Sequence, residues 1–327
     1  MFKAILLEQQ GSATSARLAD LEDDRLPPGD VDVDVEWSTL NYKDALAITG
    51  QGPIVRSWPM VPGIDFAGTV RASRNPGWTP GTRVVLTGWG LGETRWGGLA
   101  QRARVEAGWL LALPDTVSTR TAMIFGTAGV TAALCVMALQ RHGLQPGDGE
   151  VLVTGAAGGV GSVSVALLAA LGYAVVASTG RPEEAEYLQA LGAARIVDRA
   201  SLSAPGKPLQ RETWAGVVDS VGSHTLVNAC AATRVDGAVA ACGLAQGADF
   251  PATVMPFILR GITLYGINSV YQSNANREAA WALLAGKVTP PQLAAMAFEV
   301  PLSAAIARAP EVLAGRTRGR TIVDTSR

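Results

Sequence analysis

The segment EVLVTGAAGGVG, residues 150–161, constrains the fold more than any other part of the chain. An apolar strand-like run at 150–154 ends in a cluster of small residues, and an apolar helix-like run follows at 159–171. A strand that turns through glycines into a helix is half of a βαβ unit, and the alternation continues downstream. Strand-like runs at 174–178, 194–197, 216–219, 238–242 and 262–267 are separated by helix-like runs at 183–191 and 223–233. Alternation at this spacing predicts an α/β fold, a parallel sheet with helices on both faces. The apolar stretch Val160–Ala177 has nearly the length of a membrane span. Gly172 interrupts it, and a buried helix, a glycine turn and a buried strand account for it without a membrane.

Read as G-x-G-x-x-G, the turn places Ala156, Gly158 and Gly161 at the fingerprint positions, with Gly155 just ahead. Alanine replaces the first glycine. Gly158 still lets backbone approach a pyrophosphate, and Gly161 still permits close packing of helix on strand. The helix start offers unpaired N–H groups and a positive dipole end to phosphate. The context of strand before and helix after makes this a dinucleotide site. The next strand ends in Ser178, Thr179, Gly180 and Arg181, with no carboxylate at its tip. An acid there would hold ribose hydroxyls; hydroxyls and a guanidinium suit a 2′-phosphate instead, which predicts NADPH. The nearby Glu183 and Glu184 follow Pro182 and read as first-turn helix residues.

The first third reads as β-rich. VDVDVEW at 31–37 alternates like a half-buried strand, and apolar runs at 64–70 and 83–87 are bounded by Gly and Pro. GWGLGETRWGG at 88–98 must be loop. From Ser118, an N-cap by residue type, to about Leu139 the chain has no proline and a helical spread of apolar residues. Residues 201–213 are loop-like. The last sixty residues return to mixed structure, with a helix at 277–285, a strand near 298–300, a helix at 302–314 and a strand at 320–324.

Composition removes several function classes. Lys and Arg number 27 against 28 Asp and Glu, a net charge of −1, so the chain lacks the basic excess of a nucleic-acid binder. Three cysteines and two histidines cannot fill an all-cysteine or three-histidine zinc site. No two of Cys135, Cys230, Cys242, His142 and His224 stand at a tight chelate spacing. Scattered, odd-numbered cysteines fit a reducing cytoplasm, and MFKAILLEQQ has no secretory h-region.

LNYKDALAITG at 40–50, PGIDFAGTV at 62–70, LTGWGLGE at 86–93 and VMPFILRGITLYGINS at 254–269, together with GAAGGVG, carry a resemblance over the whole chain. The sequence resembles the medium-chain dehydrogenase/reductase superfamily, in its zinc-free, quinone-oxidoreductase-like branch, and looks most like the acrylyl-CoA reductase group. The resemblance implies a GroES-like β-barrel catalytic domain from residues 1–120 and 269–327 and a Rossmann NADP-binding domain from 121–268, with substrate in the cleft. It also implies a homodimer, with the segment around 254–272 as the natural edge. Zinc relatives carry a catalytic cysteine where this chain has Asn41, and a four-cysteine lobe around 88–98.

The same resemblance implies roles for individual residues. It sets the Asn41–Asp44 loop against the nicotinamide, with Tyr42 packing on the cofactor or donating a proton, Asn41 polarising a carbonyl, and Lys43 and Asp44 orienting the loop as an ion pair. Ala157, Gly158, Gly159 and Val160 would wrap the pyrophosphate, and Ser178, Thr179, Gly180 and Arg181 would meet the 2′-phosphate end. Ser220, Leu264, Asn268 and Arg320 would complete the cofactor contacts. A CoA substrate brings phosphates, so Arg56 and Arg95 are rim candidates, with Trp58, Trp89 and Trp96 as cleft walls. The reaction implied is metal-free hydride transfer to the conjugated C=C bond of acrylyl-CoA, giving propionyl-CoA. An NADPH:quinone or alkenal reductase, or a non-catalytic NADPH-binding module, would use the same cofactor site.

Overall fold

The computed structural model describes residues 1–327 apart from Ser12, in two compact units. The first comprises Met1–Thr127, Val270–Glu278 and Ala297–Arg327; the second comprises Ala128–Ser269 and Ala279–Met296. Along the chain run β1 (Phe2–Gln10), β2 (Ala13–Leu21), β3 (Val31–Thr39), α1 (Tyr42–Thr49), β4 (Asp65–Ser73), β5 (Arg83–Thr87), β6 (Arg102–Val105) and β7 (Leu111–Ala112). Then come α2 (Thr119–His142), β8 (Glu150–Val153), α3 (Gly159–Ala170), β9 (Ala174–Thr179), α4 (Ala185–Leu191), β10 (Arg195–Asp198), α5 (Ala200–Ser203), β11 (Trp214–Asp219) and α6 (Ser223–Ala232). The rest is β12 (Thr233–Ala241), α7 (Met255–Arg260), β13 (Thr263–Gly266), α8 (Asn274–Lys287), α9 (Pro290–Met296), β14 (Ala297–Pro301), α10 (Ala305–Leu313) and β15 (Arg320–Asp324).

The first unit is built on a seven-stranded sheet in the order β14-β15-β3-β4-β5-β7, with β6 also pairing to β3, and on the antiparallel hairpin β1-β2. The alternating valines of β3 face inward: Val31, Val33 and Val35 join Phe66, Val84 and Leu86 in one core. A second core packs α1 and α10 through Ala45, Ile48, Ala305 and Ala309 against Leu7 and Val323. This is the GroES-like architecture expected from the sequence. The region around Asn41 is not a free loop, however. Asn41 is the N-cap of α1, and residues 42–44 form its first turn.

The second unit is a six-stranded parallel sheet in the order β10-β9-β8-β11-β12-β13. Numbered from β8 this is 3-2-1-4-5-6, the doubly wound dinucleotide order, with its switch point between β8 and β11. Helix α2 is capped as its sequence indicates, Ser118 Oγ accepting from Thr121 N at 3.0 Å. Its most apolar window is 89% buried, so its apolarity serves the core. Gly126, at φ 50° and ψ −153°, breaks α2, and the division between units falls one residue later. The boundaries therefore differ from 120/121 and 268/269. The last part of α8 and all of α9 also return to the second unit, where Gln292 Nε2 donates to Leu191 O at 3.0 Å.

Candidate active site

In the second unit, β8 delivers the glycine turn to the switch point. Gly155 holds φ 59°, and a Cβ there would lie 2.5 Å from Ser220 Oγ. Gly161 fits only as glycine, since a Cβ would stand 2.3 Å from Gly155 O. Gly158 caps α3 at φ −83°, and a Cβ there would touch only Gly155 O, at 3.3 Å, so its outer side is open. That opening, at a helix N-terminus, leaves backbone N–H groups facing an approachable surface. The strand tips are stapled by Asp219, which the sequence reading passed over. Its carboxylate accepts from Thr154 Oγ1 at 2.6 Å and from the N–H groups of Gly222 and Val221 at 2.8 and 3.2 Å. Burial raises its pKa. Ser220 supports the same turn, donating from Oγ to Thr154 O at 3.1 Å.

At the tip of β9 the hydroxyl expectation is corrected. Ser178 is buried, and Thr179 Oγ1 turns inward to accept from Arg181 N at 3.1 Å. Neither side chain is presented outward. Two arginines stand there instead, Arg181 half-buried and Arg199 exposed. Arg181 Nη2 donates to Ala157 O at 3.4 Å, and Nη1 lies 3.4 Å from Glu184, which pins it beside the turn. Arg199, missed in the sequence, packs its guanidinium over Gly180, 2.8 Å from where a Cβ would stand. It is exposed and makes no ion pair among the described residues. Pairing of β10 with β9 puts Asp198 opposite Thr179, so the residue after it lands at the strand tip. Leu264, half-buried, packs against the core that holds Val217 and Val239. Asn268 is exposed beyond β13.

In the first unit, Asn41 lies at the centre of a buried polar cluster. Its Nδ2 faces Thr39 Oγ1 at 2.8 Å and Asp44 Oδ2 and Asp65 Oδ2 at 3.1 Å each. Its Oδ1 accepts from Arg320 Nη1 at 3.1 Å. Arg320, 3% exposed, also donates to Thr39 Oγ1 at 3.0 Å and Ile124 O at 3.1 Å, and its Nη2 is 4.0 Å from Asp65. Burial lowers its pKa, and Asp65 and Asp44 oppose that. Arg320 thus stands inside the Asn41 cluster rather than on an open surface.

Two further expectations are corrected here. Asn41 does not point a free amide outward, because both ends of it are engaged. Asp44 does not pair with Lys43. It is 1% exposed and accepts four N–H bonds, from Gly63 and Ile64 on Oδ1 and from Asn41 N and Nδ2 on Oδ2. Burial and the Asp65 charge push it up to about 7. Lys43 pairs with Glu93 instead, at 2.8 Å. The cap geometry explains both: an acid three residues after an N-cap reaches back to the cap N–H, which removes it from the surface. Tyr42 is left as the outward group, 41% exposed and without a hydrogen-bond partner among the described residues. Of the rim candidates, Arg56 and Arg95 are exposed, while Trp96 donates to Pro59 O at 3.0 Å and packs inward with Trp58.

The donor set of this cluster does not fit a metal ion. Its carboxylate and amide oxygens already accept N–H and O–H bonds, and a guanidinium fills the cation position among them. Among the described residues no group of three or more His, Cys, Asp or Glu is arranged to hold one. The turn in the second unit, by contrast, fits a dinucleotide: an open glycine, a helix N-terminus and two guanidinium groups.

Residues 27–115 match the alcohol dehydrogenase GroES-like domain, and residues 159–286 match the zinc-binding dehydrogenase domain. The chain is 52% identical to a probable acrylyl-CoA reductase of Escherichia coli (strain K12), covering 98% of this chain and 99% of that one. It is 50% identical to an acrylyl-CoA reductase of Ruegeria pomeroyi, with 100% of both chains covered. An oxidoreductase from Salmonella enterica, crystallised in complex with NADP, superposes with a TM-score of 0.97 at 53% identity, covering 99% of each chain. A GroES-like unit joined to a doubly wound dinucleotide unit is the plan of alcohol-dehydrogenase-like oxidoreductases. The chain belongs to the medium-chain dehydrogenase/reductase superfamily, in the family of the acrylyl-CoA reductases.

Proposed function

We propose that the protein reduces the conjugated C=C bond of acrylyl-CoA to propionyl-CoA with NADPH, without a metal. The observation that carries the reading is the pairing of full-length identity to two acrylyl-CoA reductases with a polar cluster whose cation is Arg320. NADPH, when bound, supplies a hydride. The backbone of Ala157, Gly158, Gly159 and Val160 at the start of α3 holds the pyrophosphate. Arg181 and Arg199 flank Gly180 and hold the 2′-phosphate by charge-assisted hydrogen bonds. Ser220 keeps the turn in shape.

On the substrate side, the thioester already draws electrons through the double bond, so the β-carbon needs no Lewis acid. Negative charge then develops on the thioester oxygen, and Tyr42 donates a hydrogen bond or proton to the resulting enolate. Asn41, Asp44, Asp65 and Arg320 act through α1: they lock its first turn and so fix where Tyr42 stands. They are positioning residues.

The protein is cytoplasmic, in keeping with three free cysteines. It is a homodimer through the free edge of β13 and the adjoining α7, where Ile258 is 72% and Leu259 59% exposed. A steady-state panel of acrylyl-CoA, crotonyl-CoA and a benzoquinone with NADPH tests the function. The highest kcat/KM is expected with acrylyl-CoA, and undiminished after chelator treatment. A quinone preference overturns the substrate, and loss of activity restored by a metal overturns the metal-free reaction. The oligomeric state follows from light scattering of the wild type and Ile258→Glu. A monomeric wild type ends the dimer reading.

A further inference from the structure

The loop after β5 is held more tightly than a surface loop requires. Trp89 takes φ 55°, a left-handed conformation unusual for a bulky side chain, and Gly90 O accepts from three N–H groups, those of Glu93, Thr94 and Arg95. The indole of Trp89 stacks on Trp109 with centroids 6.3 Å apart and planes 11° apart. Behind it, the guanidinium of Arg277 lies 5.2 Å from the Trp89 centroid. Arg277 is 1% exposed and anchored to Thr87 O and Oγ1 at 2.8 and 2.7 Å and to Val270 O at 2.8 Å.

The outer member of this assembly is Arg95. Its guanidinium lies 5.5 Å from the Trp109 centroid, it is exposed, and it makes no ion pair among the described residues. The one acid beside it in the loop, Glu93, is engaged by Lys43, the neighbour of Tyr42. The molecule therefore neutralises the loop's carboxylate and leaves its guanidinium unneutralised, laid over an aromatic ring. A planar cation stacked on tryptophan, next to the candidate proton donor's own turn, is a surface for a phosphorylated, planar group.

We propose that Arg95, oriented by Trp109, forms the subsite for the 3′-phosphoadenosine diphosphate end of the acyl-CoA substrate, its guanidinium binding phosphate. This rests on the acyl-CoA reading and adds to it where the CoA nucleotide is recognised. The chemistry is carried by a part of the substrate that does not react, so it should appear in KM and leave kcat alone.

Arg95→Ala, an exposed change, is compared with the wild type on acrylyl-CoA and on acrylyl-pantetheine, which lacks the nucleotide. The expected result is a KM for acrylyl-CoA raised about tenfold, kcat within twofold, and unchanged KM for acrylyl-pantetheine and NADPH. In parallel, quenching of tryptophan fluorescence by free coenzyme A should weaken about tenfold in Arg95→Ala, and quenching by pantetheine should not change. Unchanged acrylyl-CoA KM and coenzyme A binding, or equal losses with both thioesters, overturn the subsite while leaving enoyl-thioester reduction in place. A wild type that binds coenzyme A but reduces neither thioester keeps the subsite and overturns the reaction. A wild type that neither binds coenzyme A nor reduces the thioesters overturns both.

Discussion

Two alanine substitutions three residues apart should fail in opposite ways. At Gly161 a Cβ would stand 2.3 Å from Gly155 O and 2.5 Å from Ala156 Cα, both backbone atoms, whereas ordinary contact begins near 3.4 Å. Backbone cannot rotate away, so α3 must back off the turn by about 1 Å. Overpacking of this kind costs about 3 kcal/mol, and replacing glycine by alanine inside a helix returns about 1 kcal/mol. The net loss for Gly161→Ala is about 2 kcal/mol. At Gly158 the single close atom is 3.3 Å away and φ is −83°, which alanine adopts freely. Gly158→Ala meets no backbone clash and should lose only about 0.5 to 1 kcal/mol, alanine being a poorer N-cap than glycine. Its methyl group instead fills the open side of the turn and keeps phosphate from the backbone.

Urea unfolding and NADPH titration separate the two effects. Gly158→Ala should bind NADPH about tenfold to a hundredfold more weakly, or about 1.4 to 2.8 kcal/mol, with a midpoint lowered less than that of Gly161→Ala. Gly161→Ala should lower the midpoint first and bind NADPH less well as a consequence. Normal NADPH affinity in Gly158→Ala would refute the argument that its open face receives the pyrophosphate. A Gly161→Ala protein within about 0.5 kcal/mol of wild type would refute the packing argument.

Three other outcomes follow from the site. Arg181→Ala and Arg199→Ala should each raise the KM for NADPH about tenfold, roughly 1.4 kcal/mol per lost charge-assisted contact, and spare NADH; equal effects on both cofactors would remove the 2′-phosphate assignment. Tyr42→Phe should lower kcat about a hundredfold with little change in the KM of either substrate, as a general acid contributes, and a kcat within threefold would move the proton donor elsewhere. Asp44 is raised to about 7 from an ordinary value of 3.8, so its stabilising contribution is complete below pH 4 and is lost as pH rises through 7. Relative to Asp44→Asn, the wild type should lose about 4 kcal/mol between pH 4 and pH 8, measured by urea unfolding, and parallel pH profiles would contradict it.

The elements that local pattern specifies were legible in the sequence. The strand–helix alternation announced the parallel sheet because its inner strands β8, β9 and β11 are buried on both faces and read as apolar runs. The glycine turn was legible because two of its positions, Gly155 and Gly161, have backbone requirements that few other residues meet. What local pattern did not reveal was the direction of side chains brought together from distant segments. Ser178 and Thr179 suit a phosphate in composition, but the pleat and the Arg181 N–H turn them inward. Arg199 supplies the cation they do not, and only the register of β10 on β9 reveals it. Likewise Asn41-Tyr-Lys-Asp44 reads as a reactive loop. The spacing of Asn and Asp, three apart before an apolar run, was the cap signal that would have assigned it to a helix start.

That helix start changes what the first unit is equipped to do. A metal ion offers a substrate an open coordination position and lowers the pKa of what binds there. The guanidinium of Arg320 offers neither: it is held by Asn41, Thr39 and Ile124 and has no open face toward a ligand. Its charge instead balances Asp65, and beside it Asn41 is drawn into one orientation by contacts on both ends of its amide. Rigidity of α1 is the result, and only Tyr42 among residues 41–44 remains exposed without a partner. On the proposed reading, a site that holds a hydrogen-bond donor still suits substrates that carry their own activation. A conjugated thioester does; a simple alcohol does not. The cluster therefore bears on specificity as well as on position. Loosening it through Arg320→Lys, which keeps the charge but loses the forked contacts, should reduce turnover of acrylyl-CoA without conferring activity on alcohols.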